Sequence, residues 1–484
     1  YRRLKDRLLP VYTGRRKLYD KILIAFKGTA TSPTLASSET TSEPLEAAPE
    51  LSKDTFQNFL SSRENPAIKE VALVTEEPVP KEDVTVSVVI PTKDAGEDFR
   101  RVLAMLKNQK GFRDIEVIVV DSGSTDKTLE YAERLECKVI KILPEDFSHS
   151  YARNLGAGHA SGDYLVFTVQ DAIPPSDSWL HELFSVIKKN DVVAVSCAEF
   201  PWETADLFYR VISWNHYKFL EVDNADKIMQ HMGIEDHFAL RKNAQLSDLA
   251  CLISRNIFAK YEYRTDYGED LDLGLRLIKD GYKIAFLGSI RIIHSHNRPA
   301  YYYLKRGYVE NLFLPRVFPD YPTPKRNIDL IFRDMIFTYQ VVSFLINEGT
   351  REVGGFPCKT DRFSSRVIDR FQIAAHTTYP ISTQPLPGYI DDDEFQNFMK
   401  RITEGHGLER GNGCPGNGDL SEAVLNFTGI VLAYMNETYE IVDDHIAEEF
   451  RSSLYKMFAY QCGAYLAQCF LGQNRAGREK LEQI

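Results

Sequence analysis

The chain has 484 residues, 43% hydrophobic and 26% charged, with a formal net charge of −11 at neutral pH. A chain of this length and composition buries one or more full hydrophobic cores, which excludes wholesale disorder and a disulfide-stapled peptide. The acidic balance argues against a nucleic-acid backbone as the main partner, so we expect no nucleic acid to be bound.

The cysteines and the apolar runs of the sequence bear on the cellular compartment of the protein. The odd number of cysteines and the lack of C-x-x-C or zinc-type spacing fit a reducing, cytoplasmic compartment. The cysteines are Cys137, Cys197, Cys251, Cys358, Cys414, Cys462 and Cys469. The longest apolar run, residues 335–346, is short of the ~18–20 residues that span a bilayer. Because the chain starts at Tyr1 without a signal peptide, we expect it to be part of a longer protein with other domains.

The first 83 residues divide into a basic segment and a linker. Residues 1–28 are basic and place Leu18, Ile22 and Phe26 on one face of a predicted helix. Packing of this face on a neighbouring domain is the favoured interpretation, and a peripheral position at the inner face of the cell membrane is the alternative. Residues 29–83 are a linker, largely of low complexity, because their Ser, Thr, Pro and Glu content leaves too few large apolar side chains to offset chain entropy.

From residue 84 the pattern alternates between strands and helices. VTVSVVIPT and IEVIVVD are β-branched runs that predict two strands, and Phe99, Val102 and Leu106 lie between them at helical spacing. This is a βαβ unit, which implies a parallel sheet and an α/β fold. Further along, Ser124 is the predicted N-cap of the next helix, and YLVFTV and VVAVSCA predict more strands.

The remaining chain changes from α/β to helical character. A helix is predicted from Leu271 to Lys279, and KIAFL and IRIIH predict two further strands. Beyond residue 320 the pattern is helical, and Val442 to Cys462 is a ladder of apolar residues four apart. We therefore divide the chain into an α/β domain, residues 84–320, and a helical C-terminal extension, residues 321–484.

Polar clusters follow the predicted strands, where an open parallel sheet binds its ligands. Taken singly, each cluster is compatible with an ordinary helix cap or turn. The clusters are Pro91-Thr92-Lys93-Asp94, Asp121-Ser122-Gly123-Ser124, Gln170-Asp171, Gly268-Glu269-Asp270 and His294-Ser295-His296. Their order along the chain points to one shared site.

Together these clusters resemble the motifs of the inverting family-2 glycosyltransferases. The matching segments, in the family's order over residues 84–320, are VSVVIPTKDAG, IEVIVVDSGSTDKT, SGDYLVFTVQDAIPPSDSWL, YGEDLDLGLRLIKDGYKI and IIHSH. The resemblance implies the GT-A fold, a Rossmann-like nucleotide-diphospho-sugar transferase domain with a mostly parallel sheet. It also implies a nucleotide-diphospho-sugar donor.

The resemblance assigns a nucleotide site to the first clusters and one arginine. Asp121 is carried over as the carboxylate that accepts the imide N–H of a pyrimidine base. Arg153 is expected to meet the donor diphosphate, and a surface ion pair is the alternative role for it. The full set of nucleotide-binding residues is Pro91, Thr92, Asp94, Asp121, Ser122, Gly123, Arg153 and Gln170.

A divalent cation, Mg²⁺ or Mn²⁺, is expected at Asp171 and His294. The family's aspartate-x-aspartate motif falls on Val169 and Asp171, so the first carboxylate is missing here. One carboxylate and one histidine can still hold such an ion together with phosphate oxygens and water. The cation would neutralise the leaving diphosphate.

Asp270 is the predicted catalytic base, and Glu269 is the neighbour that takes this role in the alternative assignment. A single displacement needs a carboxylate across the donor from the metal, where it accepts the proton of the acceptor hydroxyl. Backbone N–H groups at the predicted helix start are expected to lower the pKa of Asp270 and to keep it ionised.

Two loop segments, FSHSYARNLGA and CAEFPWETADLFYR, most resemble bacterial rhamnosyltransferases of O-antigen and capsule assembly. This resemblance implies transfer of rhamnose from dTDP-rhamnose to a surface polysaccharide acceptor, which can be lipid-linked. Two alternatives stay open. One is a UDP- or GDP-sugar donor, and the other, based on Val169, is a non-catalytic sugar-nucleotide-binding module of a multidomain polymerase.

Overall fold

The computed structural model describes most of the chain after the predicted linker. The described residues are 78–223, 225–324, 328–346, 350, 355–376, 393–405 and 419–472. The predicted basic helix, residues 1–28, and nearly all of the predicted linker, residues 29–83, lie outside this part.

One eight-stranded sheet organises the first half, in the order β3-β2-β1-β4-β7-β5-β8-β6. Only β6 and β7 among these strands run antiparallel to their neighbours, so the predicted mostly parallel sheet is confirmed. The strands are β1 (Thr85–Thr92), β2 (Asp114–Asp121), β3 (Lys138–Lys141), β4 (Tyr164–Thr168), β5 (Ala194–Phe200), β6 (Lys227–Met229), β7 (Ala250–Ser254) and β8 (Ile284–Ile293). The two strands predicted at KIAFL and IRIIH are one strand, β8, with an irregular register opposite Cys197 and Ala198.

Helices connect the strands and cover both faces of the sheet. They are α1 (Phe99–Lys107), α2 (Thr128–Arg134), α3 (His149–Gly158), α4 (Trp179–Asn190), α5 (Leu207–Leu220), α6 (His237–Asn243), α7 (Arg255–Tyr261) and α8 (Glu269–Lys279). The predicted N-cap at Ser124 is wrong, because α2 begins four residues later at Thr128 with Lys127 as its N-cap. The Ser124 hydroxyl instead donates to the carboxylate of Asp121.

Alternate side chains of each central strand enter two different cores. In β2, Val117 and Val119 belong to the core on one face, and Ile118 and Val120 to the core on the other. A central strand that is buried on both faces has almost no polar position before its carboxyl end. The polar residues that follow β1, β2, β4 and β8 are therefore collected at one edge of the sheet.

A third core lies among the helices of the C-terminal extension, so the predicted helical extension is confirmed. Its elements are α9 (Ala300–Val317), α10 (Ile328–Phe344), β9 (Cys358–Lys359), α11 (Thr360–His376), α12 (Asp393–Gly405), α13 (Asp419–Thr438), β10 (Ile441–Val442) and α14 (Asp444–Gly472). Val442, the predicted first rung of the helical ladder, lies in β10, and the ladder continues in α14. The same core includes Leu207, Phe208 and Val211 of α5, and the predicted boundary at residue 320 stays a prediction.

Helices α9 and α14 approach each other closely at two glycines. A Cβ at Gly307 would lie 2.1 Å from the carbonyl oxygen of Tyr460, and one at Gly463 would lie 2.0 Å from that of Leu304. Neither position can hold a larger residue without moving a backbone. Among the described residues, no helix has both the length and the apolar composition needed to cross a bilayer.

Candidate active site

The ends of β1 and β2 lie side by side at the carboxyl edge, with Thr92 paired in register with Asp121. The Ser122 N–H donates to the Thr92 carbonyl at 3.0 Å. The loop after β1 is joined to the loop after β2 through Asp94, whose carboxylate accepts from the Thr125 N–H at 2.7 Å. The structure thus brings these residues of the predicted nucleotide site together.

The predicted nucleotide residues differ in how much solvent they meet. Asp94 and Gly123 are exposed, and Gly123 has a φ of 92°, which favours glycine. Asp121 is buried, and its carboxylate accepts from the N–H groups of Gly123 and Ser124 at 3.0 and 3.1 Å. The carboxylate therefore shapes its own loop. The buried residues of the set are Pro91, Thr92, Asp121, Ser122 and Arg153.

The turn after β4 is fixed to both neighbouring strand ends. Gln170 accepts from the Lys93 N–H at 2.8 Å and donates to the Lys93 carbonyl at 3.2 Å, which ties this turn to the end of β1. Ile173 and Ile293 exchange two backbone hydrogen bonds of 2.9 and 3.0 Å, which tie it to the end of β8. Asp171 lies between these anchors and is therefore held beside His294.

Asp171, His294 and His296 form a group that we call the histidine cluster. One ligand atom from each of the three side chains lies within 4.8 Å of the others. The Nε2 atoms of His294 and His296 are 3.6 and 3.4 Å from the two carboxylate oxygens of Asp171. Val169, at the first position of the degenerate motif, packs against the core and offers no ligand.

His294 is oriented by a buried carboxylate, Glu199, near the end of β5. Its Nδ1 lies 3.0 Å from a Glu199 oxygen, and the hydroxyls of Tyr209 and Ser213 each donate to Glu199 at 2.6 Å. A proton on Nδ1 shared with Glu199 leaves the Nε2 lone pair directed at Asp171 and His296. This is the usual arrangement behind a metal-binding histidine.

A second group, the carboxylate cluster, consists of Asp248, Glu269 and Asp270 around Arg153. Helix α8 begins at Glu269 after Gly268, whose φ of 64° turns the chain into the helix. The Arg153 guanidinium is buried and lies 2.6 Å from Glu269, and it also pairs with Asp248. Arg153 thus forms an ion pair, as in the alternative role, but the pair is buried and not at the surface. Its contact with a diphosphate stays a prediction.

The pKa values of Glu269 and Asp270 are raised. Burial raises the pKa of Glu269 to about 7, the charge of Asp248 adds to this, and Arg153 opposes it. Burial, Asp248 and Glu269 likewise raise the pKa of Asp270 well above its usual range, although the Leu271 N–H opposes them. The expected lowering of the Asp270 pKa by the helix start is wrong, because burial and like charges outweigh the N–H groups.

The two clusters act on each other electrostatically through Asp248. Burial lowers the pKa of His294, but Glu199, Asp171 and Asp248 raise it and outweigh burial. Asp248 also raises the pKa of both Glu269 and Asp270. Asp248 lies two residues before Ala250, which pairs with Thr168 at the end of β4. Asp248 and Asp171 therefore lie beyond neighbouring strand ends, which brings the two clusters to the same edge of the sheet.

Three residues of the site were not predicted in these roles. His296 belongs to the predicted cluster His294-Ser295-His296 but was not assigned to the cation, although its place two residues after His294 was a usable signal. Glu199 and Asp248 have partners such as His294 and Arg153, 95 residues away in each case. Nothing in the local sequence marks such distant contacts.

Residues 87–245 match the sequence model of the family described as Glycosyl transferase family 2. The matched region runs from β1 to the segment before β7, and it includes the nucleotide loops and Asp171. The chain therefore carries a family 2 glycosyltransferase domain, and the predicted enzyme class is confirmed. With the mostly parallel sheet, the match also confirms the predicted GT-A class of fold.

Named relatives match a little under half of the chain. The O-antigen chain rhamnosyltransferase WbaN of Salmonella anatum is 27% identical over 220 residues, 44% of this chain and 66% of the relative. The O-antigen chain rhamnosyltransferase RfbN of Salmonella typhimurium is also 27% identical, over 44% of this chain and 67% of its own length. This chain thus spans about two thirds of these relatives. Among solved structures, mannosyltransferase PcManGT from Pyrobaculum calidifontis, in complex with GDP-Man and Mn²⁺, has 16% identity and a TM-score of 0.40, covering 76% of this chain and 91% of that one.

Proposed function

We propose that the protein is an inverting, metal-dependent glycosyltransferase that moves rhamnose from dTDP-rhamnose to a bacterial surface polysaccharide. The observation that carries this proposal is the pairing of the histidine cluster with the carboxylate cluster at the carboxyl edge of a family 2 domain. One cluster suits a cation beside a diphosphate, and the other suits proton transfer from an acceptor hydroxyl.

The proposed reaction is a single displacement with Asp270 as the general base. Asp270 takes the proton of an acceptor hydroxyl, and the oxygen attacks the anomeric carbon of the donor. The bond from that carbon to the diphosphate oxygen breaks, the nucleoside diphosphate leaves with the electron pair, and the anomeric configuration inverts. A raised pKa makes ionised Asp270 a stronger proton acceptor, and it confines turnover to a pH at which Asp270 has lost its proton.

Asp171, His294 and His296 fit a divalent cation. A carboxylate oxygen and two imidazole nitrogens converge within 4.8 Å, and Glu199 fixes the orientation of one imidazole. When bound there, Mg²⁺ or Mn²⁺ would neutralise charge on the leaving diphosphate. Because Mg²⁺ prefers oxygen ligands and imidazole suits transition metals, this donor set favours Mn²⁺.

Glu269 has a different role from Asp270 in this proposal. Its carboxylate is bound to Arg153 at 2.6 Å, so it anchors the start of α8 to α3. We therefore retain Asp270 as the base, and Glu269 as the residue that positions it. The nucleotide set around Asp121, Asp94 and Gln170 holds the base and ribose side of the donor.

The donor and acceptor are inferred from relatives. The two Salmonella proteins are named as O-antigen chain rhamnosyltransferases, which supports dTDP-rhamnose as the donor and a lipid-linked glycan as the acceptor. A UDP- or GDP-sugar donor is the alternative within the same class. Work on such an acceptor fits a cytoplasmic position at the inner face of the membrane, alongside other domains of a longer protein.

The decisive experiment is donor titration. dTDP-rhamnose, UDP-sugars and GDP-sugars are supplied with Mn²⁺ or Mg²⁺, and release of the nucleoside diphosphate is followed. We expect dTDP-rhamnose with Mn²⁺ to be most active, and Asp270→Asn to bind donor normally but to turn over about 10²–10⁴-fold more slowly. Asp272→Asn, on the same helix but paired with Arg276, is the matched control.

Three outcomes would count against the proposal. Full activity in EDTA or in Asp171→Asn would remove the metal from the mechanism. Full activity in a less stable Asp270→Asn would leave Asp270 only a structural role at the helix start. Nucleotide binding without turnover of any donor would favour the non-catalytic module suggested by Val169.

A further inference from the structure

Arg306 offers a positive charge to the cleft. It lies in the second turn of α9, and the residue is exposed. Among the described residues, no carboxylate lies within 4.0 Å of its guanidinium. Tyr267 and Glu310 act electrostatically on its charge.

Helix α9, which carries Arg306, lies close to both clusters. Tyr267 directly precedes Gly268 and the start of α8, and its ring lies 5.7 Å from Phe313 of α9. The charge of Arg306 also acts on Tyr209, whose hydroxyl lies 3.1 Å from His294. Burial raises the pKa of Tyr209, and the charge of Arg306 acts against this rise. Helix α9 begins four residues after His296 and packs on the start of α8, where a Cβ at Gly268 would lie 2.4 Å from the Phe313 ring. Arg306 therefore lies on the helix that connects the histidine cluster to the start of α8.

Arg298 offers a second charge close by. It is exposed, lies four residues after His294, and stacks on Tyr302 with its guanidinium 5.4 Å from the ring centre. Tyr302 is itself exposed and also acts on Arg306. Arg306 lies four residues after Tyr302, on the same face of the helix. Arg298, like Arg306, has no carboxylate within 4.0 Å among the described residues.

The predicted diphosphate cation, Arg153, is already neutralised by Asp248 and Glu269. Arg306 and Arg298 form no such ion pair, although the charge of Glu310 acts on Arg306. A guanidinium matches the geometry of phosphate oxygens. We propose that Arg306, assisted by Arg298, binds a diphosphate in the cleft beside Tyr302. This inference rests on the proposed function, which supplies two sources of that chemistry: the diphosphate of the donor and the diphosphate of a lipid-linked acceptor.

Calorimetry on the whole chain tests this site. The probes are dTDP, UDP and GDP for the donor source and farnesyl diphosphate for the acceptor source, each with Mn²⁺. We expect Arg306→Ala to weaken at least one diphosphate probe by about ten- to a hundredfold. Arg306→Lys should recover part of this affinity, and Arg298→Ala should show a smaller loss in the same direction. Arg316→Ala is the matched control, since Arg316 is exposed on the same helix about 15 Å further along.

The two sources give different results. Loss of nucleotide affinity identifies the donor diphosphate, and loss of farnesyl diphosphate affinity alone identifies the acceptor. If Arg306→Ala and Arg316→Ala bind every probe as the wild type does, the diphosphate site is refuted and glycosyl transfer is untouched. If the wild type binds no probe and turns over no donor, both proposals fail. Melting curves of each variant verify that it is folded.

Discussion

The negative charge of Asp248 acts on three neighbouring residues, Arg153, Glu269 and Asp270. It pairs with Arg153, and it raises the pKa of both neighbouring carboxyl groups. In the proposed mechanism Asp270 works only when ionised. Activity should therefore be lost as the pH falls through its raised pKa, well above the usual range of an aspartate.

Asp248→Asn should move this acid limit to lower pH. The change removes a like charge from Asp270 and leaves Arg153 less neutralised, and both effects lower the pKa of Asp270. We expect the acid limb of the kcat/KM profile to shift downward by about one pH unit or more. Asp272→Asn is the control and should leave the limb in place. A limb that stays fixed or moves upward in Asp248→Asn would contradict the assignment.

At the scale of secondary-structure elements, the contact between α9 and α14 determines where Arg306 and Tyr302 lie. The glycines at this contact, Gly307 and Gly463, let the backbones approach to within a distance that excludes a Cβ. Arg306 is the immediate neighbour of Gly307. Any widening of the contact therefore moves the arginine that we assign to the diphosphate.

Gly307→Ala should destabilise the helical extension by about 1–3 kcal/mol, because the added methyl group overlaps the Tyr460 carbonyl oxygen. The control is Gly429→Ala in α13, where an added Cβ meets nothing within 4 Å. This control should gain about 0.5–1 kcal/mol from the better helix propensity of alanine. Urea unfolding followed by circular dichroism compares the two. Equal stability of the two variants would show that the contact adjusts freely.

The strands of the sheet could be predicted where the local sequence has a clear apolar pattern. They were predicted less well where the strand depends on its pairing partners. Strands β1, β2 and β4 are continuous β-branched runs, and they were found. The antiparallel β7 was missed because ACLIS is short, and its direction depends on pairing with β4 and β5. Ser124 has the propensity of an N-cap, yet its hydroxyl donates to Asp121 instead of capping α2. Asp171 and His294 could be chosen by resemblance, whereas Glu199 is recognisable only after folding.

At the scale of the whole molecule, the sheet domain and the helical extension share residues. Leu207 and Phe208 of α5 and Tyr303 and Leu304 of α9 belong to the core of the extension. Polar contacts accompany them: Lys456 of α14 lies 2.6 Å from Asp206. The predicted domain at 84–320 therefore has an apolar face that the extension covers.

A fragment of residues 78–320 should aggregate, because removal of the extension exposes this apolar face to water. A chain ending at residue 472 keeps the whole described extension and serves as the control. Soluble yield and gel filtration compare the two. A monodisperse fragment that binds nucleotide as well as the control does would show that the sheet domain is self-sufficient.

Helix α5 has a further consequence for how such proteins can be recombined. One side of it supplies Tyr209 and Ser213 to Glu199, and another supplies Phe208 and Val211 to the extension. A chimaera that joins this sheet domain to the extension of a relative must change the second set without disturbing the first. We therefore expect such a chimaera to keep the orientation of His294 only where the crossover leaves α5 with its own extension.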